Sequence, residues 1–257
     1  MEQNVMRAAI VIGATSGIGQ AVAVRLAAAG YRVGIAGRRE ELLLELAQTD
    51  PDRYETEVLD VEDAGVCERL EKLAERLGSP ELILFCAGTG ELNDALDYRL
   101  EEATNRVNVA GFTRVMDWAY RYFEQRGGGC LAAITSVMGL RGSRTAPSYA
   151  ASKAYQINYL EGLRQKAFYQ KLPIRIASGV GPHGDDERGG ALLDRFDRRG
   201  RTVYLQGDRG SSCGPIRYTP MAYRRPVASV DTRTALSPDV TAGEAVCRRS
   251  FPALLFR

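Results

Sequence analysis

The stretch Gly13-Ala14-Thr15-Ser16-Gly17-Ile18-Gly19 decides the fold. A short apolar run at 8–12 precedes it. Behind it, at 18–29, apolar residues recur at helical spacing and stop at Gly30. A strand, a glycine-rich turn and a helix in that order let a diphosphate approach the backbone. The helix N-terminus then supplies N–H groups and a favourable dipole. A glycine triplet alone is also what a tight turn without ligand needs, so its neighbours have to decide between the two readings.

Working outward, the alternation continues. Further strands are expected at 32–36, 54–61, 82–87, 130–136 and 174–176, and further helices at 40–48, 62–77, 101–124 and 149–170. The apolar runs are short and continuous, as in strands buried on both faces. This pattern predicts an α/β fold with a doubly wound, Rossmann-like parallel sheet. One domain is expected over 1–184, followed by an irregular C-terminal tail over 185–257.

Composition bounds the alternatives. The chain has 257 residues, 45% hydrophobic and 26% charged, a soluble globular balance. No apolar run approaches the ~20 residues of a membrane span, and the start is not a secretory signal. A net charge of +2 gives no reason to expect a nucleic-acid or membrane partner. Cys67, Cys86, Cys130, Cys213 and Cys247 form no close pair, so no metal site is expected. His183 is the one histidine, placed in a loop and given no role. Trp118, Tyr120, Tyr122 and Phe123 fit a buried or inter-subunit helix face better than a ligand box.

Tyr149 and Lys153 stand i and i+4 on one helix face, so they can meet. A neighbouring ammonium favours a phenolate, which brings a phenol toward use as a proton donor or acceptor. Ser136 ends a strand thirteen residues earlier and can hydrogen-bond a substrate oxygen. After the second strand, Gly37-Arg38-Arg39 offers no acidic residue for a ribose 2′-hydroxyl. Arg38 is placed to pair with a 2′-phosphate, and Arg39 suits the solvated helix start.

The G-x-x-x-G-x-G spacing, with Tyr149-Ala150-Ala151-Ser152-Lys153, Ser136, Asn108 in Asn108-Val109-Ala110-Gly111, and Asp60-Val61, resembles the short-chain dehydrogenase/reductase family in its shorter branch. The resemblance covers residues 5–176. It implies an oxidoreductase that moves a hydride between NADP(H) and a small carbonyl or alcohol substrate, cytoplasmic and a homodimer or homotetramer. Tyr149 would be the acid/base, Lys153 its activator and ribose contact, and Ser136 the substrate anchor. Asn108 would hold a water connecting Lys153 to solvent. Gly13, Thr15, Ser16, Gly17, Ile18, Gly19, Arg38, Arg39, Asp60, Val61, Ala87, Gly88, Tyr149 and Lys153 would contact the cofactor. Cys86-Ala87-Gly88 departs from the family's Asn-Ala-Gly, because cysteine cannot supply an amide's hydrogen bonds. As a free thiol on a buried strand, Cys86 reads as an inert core residue.

The end of the chain breaks the pattern. Residues 1–176 carry a net charge of −2 and residues 177–257 a net +4, with 13 Arg and no Lys. Six of ten prolines fall after 176. The resemblance implies a Pro-Gly turn, a substrate-loop threonine, lid helices and a last strand there. Residues 177–184 do not match. Read one nucleotide later, codons for 178–184 permit Pro-Gly-Leu-Val-x-Thr. The same shift restores apolar periodicity at 190–196, 205–210 and 216–229. The expectation is an out-of-frame tail beginning near Ala177, which leaves the sheet without a last strand and the pocket without its lid. A rival function follows, a catalytically impaired nucleotide-binding or interaction protein. A third reading, a sugar-nucleotide epimerase, is weakened by the glycine spacing and the short chain.

Overall fold

The structure is a computed structural model that describes residues 7–181 and 203–204. All of them lie in the unit Met1–Asp208. The strands are β1 (Ala8–Ile12), β2 (Arg32–Gly37), β3 (Tyr54–Val58), β4 (Leu82–Phe85), β5 (Gly129–Ser136), β6 (Ile174–Gly181) and β7 (Val203–Tyr204). The α-helices are α1 (Gly17–Ala28), α2 (Glu40–Gln48), α3 (Val66–Leu77), α4 (Tyr98–Asn105), α5 (Phe112–Gln125) and α6 (Pro147–Tyr169). Every strand pairing is parallel, in the order β3-β2-β1-β4-β5-β6-β7. The order reverses between β1 and β4, the switch point where open α/β sheets bind ligands.

All five residues of β1 are buried, and successive side chains serve opposite faces. Ile10 and Ile12 join Phe85, Leu131, Phe112, Met116 and Leu160 under α3, α5 and α6. Ala9 and Val11 join Val33, Ile35, Leu84 and Ile134 under α1 and α2. The doubly wound sheet is thus seen directly. Trp118, Tyr120, Tyr122 and Phe123 are all buried on the α3/α5/α6 side, as expected for a core helix face.

Several boundaries differ from the sequence reading, among them the start of α3 at Val66 and the end of β4 at Phe85. β3 stops at Val58, so Asp60 and Val61 lie in a turn where the Glu62 N–H donates to Asp60 Oδ1 at 3.0 Å. The helix expected over 101–124 is two helices joined by a π-helical segment, Arg106–Gly111, that contains Asn108. α6 begins at Pro147, whose missing N–H costs nothing in a first helical turn. β6 runs five residues past Ile176, in register with β5 to Gly181↔Ser136. Ala177 and Ser178 are small and buried, so this part of the expected break continues the sheet. The sheet expected to lack a last strand carries a two-residue one, Val203–Tyr204, parallel to β6. His183 and the rest of the expected tail lie outside the described residues.

Candidate active site

Two adjoining clefts open at the carboxyl ends of the strands. The larger, about 790 Å³, runs from the glycine turn to Ser136, Tyr149 and Lys153. The smaller, about 190 Å³, lies between the glycine turn, Arg38, Arg39, Asp60 and Val61. Ser16, Cys86, Gly88 and Thr89 line both. Every residue expected at the cofactor therefore borders one of two connected spaces.

The glycines of the turn are there for close approach. A side chain at Gly13, which has φ +89°, would meet the Ala87 backbone N at 2.6 Å. A side chain at Gly19 would land on the Gly13 carbonyl oxygen. The first turn of α1 is thereby drawn against the ends of β1 and β4. Gly17 has φ +55° and open space where a side chain would stand. That cradle fits a diphosphate approaching the N-terminus of α1.

Arg39 is not merely a solvated helix start. Its guanidinium donates to Thr15 Oγ1 and Ser16 Oγ, both at 2.7 Å, so it spans the mouth of the smaller cleft. Arg38 lies 3.8 Å from Asp60 Oδ2 and is largely exposed. Both guanidinium groups are at the end of the cleft next to β2.

At the other end, β5 delivers Ser136 to the cleft floor, 3% exposed, its Oγ accepting from the Met138 N–H at 3.2 Å. The Lys153 Nζ is 5.8 Å from the centre of the Tyr149 ring, as the i, i+4 spacing requires. Lys153 is buried, and burial pulls its pKa down to about 8 while Cys86 opposes the shift. Cys86 lies just past β4, partly buried and lining both clefts, not on a buried strand as expected; burial pushes its thiol up to about 12, so it stays protonated.

Asn108 does more than line a helix. It is fully buried. Its Oδ1 accepts from the Thr89 N–H at 3.0 Å. Its Nδ2 donates to the Thr89 carbonyl at 2.6 Å and to Ser152 Oγ at 3.0 Å. It therefore ties the segment after β4 to α6, one residue from Lys153. Its backbone carbonyl accepts from Gln156 Nε2 at 2.9 Å, and Gln156 Oε1 accepts from Lys153 Nζ at 3.1 Å. Asn108 reaches Lys153 through Gln156.

The sequence reading passed over Gln156, Gly90, Glu101 and Asn93. Gly90 is needed because a side chain there would enter the Tyr149 ring. Glu101 accepts from the Ser148 N–H at 2.9 Å and from Asn93 Nδ2 at 2.6 Å, and the Asn93 N–H donates to the Thr145 carbonyl at 2.7 Å. These bonds fasten α4 and the cleft wall to the start of α6, next to Tyr149. A polar residue three positions after Lys153 was the visible signal for Gln156. The other contacts join residues far apart in sequence.

Among the described residues no group of three or more His, Cys, Asp or Glu is placed to hold a metal. No helix among them is long and apolar enough to cross a membrane.

A family model for short chain dehydrogenases matches residues 7–182. The chain belongs to this family. The family binds NAD(P), and the chain is a short-chain oxidoreductase acting on CH–OH/C=O groups. It is similar to a 7beta-hydroxysteroid dehydrogenase of Clostridium sardiniense, 31% identical over 175 residues, 66% of this chain and 67% of that relative. It is also similar to an uncharacterized oxidoreductase of Myxococcus xanthus, 33% identical over 170 residues, 64% of this chain and 67% of that relative. Among solved structures, a short chain dehydrogenase from Mycobacterium smegmatis superposes with a TM-score of 0.71 at 21% identity, covering 82% of this chain and 97% of that one. Actinorhodin polyketide ketoreductase, solved as a variant with NADPH, gives 0.66 at 23% identity, covering 77% and 78%. Both share the fold. The family match ends at 182, close to where the sequence pattern fails.

Proposed function

We propose that the chain transfers a hydride between NADP(H) and a small carbonyl or alcohol substrate. The convergence of Ser136, Tyr149 and Lys153 on a cleft continuous with the glycine turn carries this reading. Bound NADP(H) supplies or accepts the hydride. In the reducing direction Tyr149 gives the substrate oxygen a proton, and Ser136 fixes that oxygen by a hydrogen bond. The positive charge of Lys153 lies behind the Tyr149 ring and stabilises the negative charge left on the phenol oxygen. Lys153 also has a proton available for the ribose. Asn108 holds the Thr89 segment against α6 and keeps this geometry. Arg38 and Arg39 would hold the 2′-phosphate, and Asp60 and Val61 would border the adenine, since all four line the smaller cleft.

The rival reading, nucleotide binding without turnover, is favoured by the lost periodicity after 176 and the end of the family match at 182. A panel of ketones that includes a steroid ketone separates them. NADPH oxidation with any member supports the enzyme, whereas NADPH binding with none supports the rival. A gene altered near codon 177 to read the other frame should give a protein with a higher melting temperature and faster carbonyl reduction. A restored protein equal to this chain in both respects would defeat the frame reading.

A further inference from the structure

Lys153 is the most demanding side chain in the cleft, an ammonium only 5% exposed. It carries three donors. One goes to the Ile134 carbonyl of β5 at 3.2 Å and a second to Gln156 Oε1 at 3.1 Å. Gln156 is itself fully buried, and its Nε2 donates to the Asn108 carbonyl in the π-helical segment at 2.9 Å. The amide thus links the ammonium to a second element of backbone. We propose that Gln156 is a positioning residue for the hydride-transfer reaction inferred above, an amide clamp that holds the Lys153 ammonium between β5 and the π-helical segment and leaves its third proton to the cleft.

The chemistry of the amide sets what this link does. Gln156 accepts with Oε1 and donates with Nε2, so passing a proton along it would require an imidic acid tautomer. The Lys153–Gln156–Asn108 connection is therefore a brace and not a proton wire. An apolar side chain of the same size would leave a buried ammonium short of an acceptor, the costly arrangement. A carboxylate of the same shape would hold the charge more firmly, but it could not donate to the Asn108 carbonyl. Among the described residues the other titratable groups facing Lys153 are Cys86, just past β4, and Tyr149, on its own helix.

The test uses the full chain labelled with ¹³C at the lysine ε-carbons. There are four lysines, Lys72, Lys153, Lys166 and Lys171, and the Lys153→Arg spectrum identifies the signal. Gln156→Met should lower the Lys153 titration midpoint by about one pH unit, and Gln156→Glu should raise it by at least about one. A purely structural role predicts no displacement, or displacement of both variants in the same direction, and either result overturns the proposal. One measurement needs no variant. In the wild type the Gln156 side-chain amide resonance should move with the Lys153 midpoint, and an unmoved resonance also overturns it. With a ketone substrate, Gln156→Met should lower kcat/KM by about 10- to 100-fold. The titrations are read without substrate. A wild type that shows them but turns over no ketone would refute the hydride-transfer reading and leave the clamp standing.

Discussion

The two ends of the cleft are built by opposite means. At the Gly13–Gly19 turn the wall is backbone, brought close by absent side chains, with Arg38 and Arg39 at the open rim. At the Tyr149 end the wall is side chain. Lys153, Gln156, Asn108 and Ser136 are buried there and hydrogen-bonded to one another or to backbone. The first end is set by local sequence, since the turn and the helix it opens are neighbours in the chain. The second is assembled from β4, the π-helical segment, β5 and α6. Changes at the glycine end should therefore act on cofactor choice, and changes at the other end on chemistry and on the energetics of a buried charge.

The largest effect expected is at Tyr149. Tyr149→Phe keeps the ring and removes the proton. It should lower kcat for ketone reduction by at least ~100-fold, the usual worth of a positioned general acid. NADPH affinity, measured by fluorescence titration, should stay within a few-fold because the glycine end is untouched. Near-normal turnover would break the division of labour between the ends.

The rim arginines come next. Arg38→Asp and Arg39→Asp should each shift preference from NADPH toward NADH by roughly 10- to 150-fold, the loss of a charge-assisted hydrogen bond. Arg39 already bonds Thr15 and Ser16, so its replacement should also loosen the turn and weaken both cofactors. Arg38 lies 3.8 Å from the Asp60 carboxylate, so its replacement should act on the phosphate and, through Asp60, on the adenine side of the cleft. Equal affinity of the native protein for the two cofactors would remove the 2′-phosphate assignment.

This contrast also explains what the sequence made legible. The strand–glycine–helix order, the alternation of elements and the Tyr149/Lys153 spacing are local patterns, and the sheet order and the cleft follow them. The π-helical segment at Asn108 was not legible, because the buried positions 104, 107, 108, 111, 112 and 115 keep the three- and four-residue spacing of an ordinary helix through it. Gln156 looked like any polar residue on a helix. Its role arises only because Asn108, 48 residues earlier, is folded against it. The end of β3 was overestimated because Leu59 and Val61 are apolar and buried beyond the last paired residue, Val58, with the Leu59 N–H still donating to the Gly37 carbonyl. β6 was cut short because its composition changes at Ala177, while backbone pairing with β5 tolerates that change.

Lys153 sharpens the comparison through stability. Its pKa falls from 10.5 to about 8 on folding, chiefly because burial disfavours the charged form. Between those values the unfolded chain binds the proton and the folded one does not, so stability contributed by this group rises with pH. Below pH 8 the cost of burying the ammonium is fully present. Relative to Lys153→Met, the cofactor-free wild type should gain about 2 kcal/mol between pH 8 and pH 10, read from urea unfolding. A difference that stays flat across that window would mean that the folded protein leaves Lys153 as solvated as the unfolded chain does.

The smallest effect expected is at Glu101, which touches neither end directly. Its Oε1 accepts from Asn93 Nδ2 and its Oε2 from the Ser148 N–H. A bond from the Ser148 side chain, with those from Asn93 and the Ser148 N–H, lowers its carboxyl from the usual carboxylate value. Glu101→Gln keeps the shape and one acceptor but turns the other into a donor. That NH₂ must then face either the Asn93 amide or the Ser148 N–H. Asn93 cannot flip to help, because its Oδ1 already accepts from the Asp97 N–H at 2.8 Å. One of the two fastenings is lost, and the wall from Asn93 to Thr145 slackens against the start of α6. Tyr149 is one residue past Ser148 but is held further along the helix by the Ser152 contact to its carbonyl. The substitution should therefore raise KM for the ketone about 3- to 10-fold with kcat nearly unchanged. A fall in kcat as large as that of Tyr149→Phe would show that the start of α6 sets the position of the phenol, and the division between a locally built end and an assembled end would have to be redrawn at Ser148.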